Sequence, residues 1–79
     1  MNSEINIMVF GQLAELTGST SVRVNLPEDT ESLKKLLLQQ FPVLVNYNFI
    51  IAVDKRTITE NSNLYEGATI AILPPFSGG

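Results

Sequence analysis

β-Branched residues recur at every second position in 5–10, where Ile5, Ile7 and Val9 alternate with Asn6, Met8 and Phe10. A period of two predicts a strand near the start of the chain, ended at Gly11. In 12–17, Leu13 and Leu16 stand three apart, which suits one or two helical turns, and Gly18 can take the left-handed conformation that stops them. Val22, Val24 and Leu26 then alternate with Arg23 and Asn25. This second strand ends at Pro27, which has no N–H to give a ladder.

The clearest helix follows. Thr30 stands where a cap is expected, Glu28, Asp29 and Glu31 surround the positive end, and Leu33, Leu36 and Leu37 form an apolar face that Leu38 and Phe41 widen. Pro42 closes it. Residues 49–53 form a short apolar run rich in β-branched side chains, which reads as a buried strand. A turn at 54–56 and a brief return strand at 57–59 come next. Residues 60–67 are polar and turn-like, except for Leu64 and Tyr65, which are expected to plug the core. The last strand, 69–73, stops at Pro74 and Pro75.

Strand, strand, helix, strand, short strand, strand is the order of an α+β fold in which a mixed sheet packs on one main helix. The first two strands are close enough for a hairpin, and the last returns from far along the chain to lie beside the first. This is the β-grasp (ubiquitin-like) arrangement, with residues 1–73 as the domain and 74–79 as a C-terminal Gly-Gly tail.

Composition narrows the functions open to such a domain. With 79 residues, 44% apolar and 16% charged, the chain is expected to fold as one globular unit. It has no cysteine and no histidine, so the commonest nucleophile, general base and metal ligands are missing. The acidic group Glu28, Asp29 and Glu31 is explained by the helix dipole, and no metal site is expected. A net charge of -3 opposes nucleic-acid binding and favours a protein partner. Lys34, Lys35, Lys55 and Arg56 read as solvated side chains. No apolar run nears the ~20 residues that cross a bilayer, and the chain start lacks a signal pattern, so no membrane association and a cytoplasmic location are expected.

The ending Pro74, Pro75, Phe76, Ser77, Gly78, Gly79 is the segment that folding explains least. Two prolines hold the chain extended as it leaves the sheet, and six residues reach about 20 Å. Gly78 and Gly79 carry no Cβ and suit a narrow channel, threaded together with Ser77, Pro75 and Pro74. The Gly79 α-carboxylate is an anion at neutral pH and a poor acyl donor. Transfer to the α-phosphate of ATP would activate it, and a sulfur nucleophile would then displace AMP to leave a thiocarboxylate. The chain lacks glycine-rich nucleotide motifs, so the activating groups must come from partners and no cofactor is bound by the chain itself. Phe76, beyond the last strand, suits a partner pocket, and Leu73 and Phe10 are candidates for an apolar docking patch. Phe49 is a further candidate for that patch, although Phe49 and Phe10 are equally plausible core residues.

These residues resemble the small subunit of molybdopterin synthase, the MoaD type, among the ubiquitin-like sulfur carriers. The resemblance rests on the opening strand 5–10, Glu15-Leu16-Thr17-Gly18, Leu26-Pro27-Glu28 before Thr30, Phe41-Pro42, Ala52-Val53 and Glu66-Gly67. Its most specific part is Ile72-Leu73-Pro74-Pro75-Phe76-Ser77-Gly78-Gly79. That family ends Pro-Pro, an aliphatic residue, Ser or Thr, then Gly-Gly, so Phe76 is a departure. Asp54 and Ala68 are two more, both at turns. The resemblance implies that a MoeB-type enzyme adenylates Gly79 with ATP and that a thiocarboxylate forms there. The tail then enters the MoaE-type large subunit, in a heterotetramer of two large and two small subunits, and gives sulfur to cyclic pyranopterin monophosphate. The catalytic side chains belong to the large subunit. Three other readings remain: a ThiS-type carrier for thiamine synthesis, a ubiquitin-like modifier conjugated through Gly79, and a plain binding module whose tail is inert.

Overall fold

Inward and outward positions alternate strictly along β1 (Glu4–Val9), with Ile5, Ile7 and Val9 buried and their neighbours exposed. The computed structural model describes residues 3–75. In β2 (Ser21–Asn25), Val22 and Val24 repeat the pattern, and the two strands pair antiparallel with Ile7 opposite Val22. Between them α1 (Gln12–Thr17) buries Leu13 and ends at Gly18, whose φ of 80° turns the following Ser19 N–H back onto the Ala14 carbonyl.

Helix α2 (Thr30–Gln40) lays Leu33 and Leu37, both fully buried, on the inner face of the sheet. β3 (Ile50–Val53), β4 (Arg56–Ile58) and β5 (Ile70–Leu73) complete a five-stranded sheet in the order β2-β1-β5-β3-β4. β5 runs parallel to β1 and antiparallel to β3, so the last strand lies in the middle of the sheet beside the first. A mixed sheet on one main helix is the expected architecture.

Several local expectations need correction. The helix cap is Asp29, not Thr30: the Asp29 carboxylate accepts the Ser32 N–H at 2.9 Å, while Thr30 is buried. The Thr30 hydroxyl donates to Asn61 Oδ1 and accepts the Ser62 N–H, and Asn61 Oδ1 also accepts the Glu31 N–H. The 60–64 segment thus buckles the helix start to the sheet. Tyr65 is half exposed at 51%, and Leu64 alone of that pair enters the core. Pro42 does close α2, but it opens a 3₁₀ segment, Pro42–Asn46, that fully buries Leu44. The turn after β3 holds two residues, Asp54 and Lys55, both at positive φ, and this starts β4 one residue earlier than its apolar pattern suggested.

The Asp29 carboxyl sits below its ordinary value chiefly because the Ser32 backbone N–H donates to its charged form, with the Ser32 and Asn61 side chains adding to the effect. A carboxyl lowered on folding stabilises the fold above its unfolded pKa, and that contribution is lost as pH falls through the folded pKa. Asp29→Asn, which keeps an acceptor but no charge, is therefore expected to melt below the parent at neutral pH. The gap should close as the pH drops under the ordinary carboxylate range; a gap that persists in acid would assign the effect to geometry instead of charge.

Candidate functional site

The site is built around the place where β5 leaves the sheet. Ile70 and Ile72 point inward and are fully buried, so Ala71 and Leu73 must face the opposite side. The same alternation turns Met8 and Phe10 outward from β1, and Ile50 and Ala52 outward from β3. The registers set these residues in rows: Met8, Ala71, Ala52 and Thr57 lie side by side across four strands, and Leu73 stands opposite Ile50 in the next row. Phe10 joins the second row, its N–H donating to the Ile72 carbonyl at 3.1 Å.

Two small side chains at the middle of one row, between larger neighbours, leave a hollow of about 390 Å³. Ala52 and Ala71 are its floor, and Phe10, Met8, Leu73 and Ile50 are its apolar walls. Phe10 and Met8 are 45% and 40% exposed, so an apolar face stays open to solvent beneath the exit of the chain. Lys55 is the charged residue on its rim; the neighbouring Asp54 carboxylate is taken up by the Thr69 N–H at 3.0 Å.

Gly11 holds the exit in place. Its φ of 59° lies where side chains are strained, and a Cβ there would come 3.0 Å from Pro74 Cγ. The turn after β1 is thus fitted against the first residue of the tail. Pro74 is half-buried and Pro75 is exposed.

Of the residues expected in the site, Phe10, Leu73, Pro74 and Pro75 meet at this corner. Phe76, Ser77, Gly78 and Gly79 lie outside the described residues. Phe49 does not join the apolar face: it packs half-buried against the core, on the helix side of the sheet beside Lys34. Gly11, Ile50, Ala52 and Ala71 went unforeseen. In runs such as 50–53 and 70–73 every residue is apolar, so the pattern shows a buried strand without showing which residues face out. Among the described residues no cluster of His, Cys, Asp and Glu is arranged to hold a metal ion, and no helix is long and apolar enough to cross a membrane.

The ThiS family model matches residues 7–79. The chain is 30% identical over 80 residues to the molybdopterin synthase sulfur carrier subunit of Arabidopsis thaliana, covering 96% of this chain and 83% of that protein. Its fold is similar to the solution structure of small archaeal modifier protein 1 (SAMP1) from Methanosarcina acetivorans, with a TM-score of 0.79 at 20% identity over 100% of this chain and 99% of that one. It is also similar to a chain in the complex of subunits 1 and 2 of molybdopterin-converting factor from Helicobacter pylori 26695, with a TM-score of 0.69 at 21% identity over 98% and 100% of the two chains. The ubiquitin-like β-grasp fold is common to them.

Gly11→Ala is expected to destabilise the fold by roughly 1–3 kcal/mol, from strain at positive φ and the push against Pro74. Urea denaturation measures it, and a transition superimposable on the parent's would show that the turn does not constrain the exit.

Proposed function

We propose that this chain, which belongs to the ThiS family, is the sulfur-carrying small subunit of a molybdopterin synthase. The observation that carries the reading is the position of Gly78 and Gly79 in the sequence, three and four residues after Pro75, following a central strand whose exit is fixed against Gly11. The domain is a handle, and its reactive group is the carboxylate of Gly79.

The chemistry proceeds from that carboxylate. A MoeB-type partner binds ATP, a Gly79 carboxyl oxygen attacks the α-phosphorus, and pyrophosphate leaves. A sulfur nucleophile then adds to the acyl carbon and AMP departs, which leaves a thiocarboxylate. Inside a MoaE-type large subunit the thiocarboxylate sulfur is transferred to cyclic pyranopterin monophosphate, and water returns the acyl group to carboxylate. Gly78 and Gly79 let the tail enter a narrow site, while Ser77, Pro75 and Pro74 span the distance from the sheet. Phe10 and Leu73, with Ile50, dock the domain on the partner, and Phe76 occupies a pocket next to the tail. Two such complexes form the heterotetramer, and the cytoplasm is its location.

An amine attacking the same adenylate would give an isopeptide bond and a protein modifier. The curated relative is a sulfur carrier, which favours sulfur as the nucleophile here. A ThiS-type role in thiamine synthesis would use the same thiocarboxylate with a different large partner.

Reconstitution with a molybdopterin synthase large subunit and the pyranopterin precursor tests the reading through two variants. Deleting Gly79 should leave binding intact while product formation falls to background. Phe10→Ser should weaken the complex roughly tenfold, with little change in melting because Phe10 is 45% exposed. Product from the Gly79-deleted chain, or product only with a thiazole-forming partner, would contradict the assignment.

A further inference from the structure

β4 is an edge of the sheet, and among the described residues no other segment donates to or accepts from its outer backbone. The register fixes which groups point outward. Val53 and Arg56 flank the two-residue turn, so they form a hydrogen-bonded pair, and Ile58 opposite Ile51 forms the next. Arg56 and Ile58 therefore direct their backbone groups to β3. Thr57, and Thr59 just beyond β4, direct theirs outward.

The side chains along this edge have a symmetry of their own. Arg56, Thr57, Ile58, Thr59 and Glu60 carry a cation, a hydroxyl, an apolar group, a hydroxyl and an anion, centred on Ile58. Within the strand Arg56 and Ile58 share one face and Thr57 takes the other, while Thr59 follows the strand and Glu60 stands at the bend where the chain leaves the edge. Among the described residues the ion pair is Arg23 with Glu4, and neither the Arg56 guanidinium nor the Glu60 carboxylate has a partner. Edge strands are ordinarily protected by charges that repel a second copy. Here the two signs are placed so that an antiparallel copy is attracted.

We propose that β4 pairs antiparallel with β4 of a second copy of this chain, about a two-fold axis at Ile58. In that register Arg56 of each copy faces Glu60 of the other. Thr57 faces Thr59 and exchanges both backbone hydrogen bonds, and the two Ile58 side chains meet in the closer, non-hydrogen-bonded pair. A groove of about 520 Å³ between α2 and the edge, lined by Phe49 and Ile51, lies open beside Ile58. The interface is isologous, as a two-fold dimer requires. It is also short, so the association is weak and salt-sensitive. β5 lies two strands in from the shared edge, about 10 Å away, so both chain exits stay open. The pairing is independent of the sulfur-carrier reading.

Sedimentation equilibrium of the full chain, up to roughly millimolar protein, tests the pairing. The parent should show a monomer–dimer equilibrium that weakens with salt. R56E and E60R should each weaken it roughly tenfold by setting like charges opposite each other, and T57P should abolish it by removing an outward donor. The R56E/E60R double variant should regain the parent's affinity, and an equimolar mixture of the two single variants should form a heterodimer, because each restores the opposed charges. Melting curves check that every variant is folded. A parent that stays monomeric throughout, or single variants that self-associate as tightly as the parent, would overturn the pairing.

Discussion

Everything in this molecule depends on β5 being held between β1 and β3. Ile70 and Ile72 are fully buried, and the strand is paired in parallel on one side and antiparallel on the other. That closure joins residues about sixty positions apart in the chain, so the packing of β5 must offset a long loop's closure entropy. It also fixes the point at which the chain leaves the domain. A strand at the sheet's edge could fray; one locked in the centre delivers Pro74 to a defined position against Gly11.

The same closure makes the outer face. Once Ile70 and Ile72 point to the core, Ala71 and Leu73 have to point away, and β1 and β3 add Met8, Phe10, Ile50 and Ala52 on that side. The alanines provide the hollow simply by being small where their neighbours are large. Placement of an apolar face and a tail exit at one corner therefore follows from the topology, and a partner that covers the face meets the tail too. In this chain, a sulfur carrier of the ThiS type with no histidine or cysteine of its own, the proposed docking face and the exit of the proposed reactive tail thereby share one corner.

Period-two alternation in Ile5, Ile7 and Val9, and again in Val22 and Val24, made the first hairpin legible in the sequence, and the leucine stripe of α2 did the same for the helix. Where alternation failed, the strands were still legible but their two faces were not. The strands β3 and β5 are apolar on both faces, which hid the roles of Ala52 and Ala71. Asp29 and Thr30 are both good capping residues, and the choice fell to Asp29 because Asn61 and Ser62, distant in sequence, engage the Thr30 hydroxyl. Leu44 was hidden by a 3₁₀ segment too short to show a period. The approach of Gly11 to Pro74 joins residues more than sixty positions apart, and no local signal reports such a contact.

The tail's chemistry is the account's central claim, and intact-mass analysis of the chain after incubation with ATP, a sulfur donor and a MoeB-type adenylating enzyme tests it most directly. The account predicts replacement of one carboxyl oxygen by sulfur, localised by fragmentation to Gly79. An unchanged mass with an enzyme that is competent on another carrier, or sulfur found at any other residue, would contradict it.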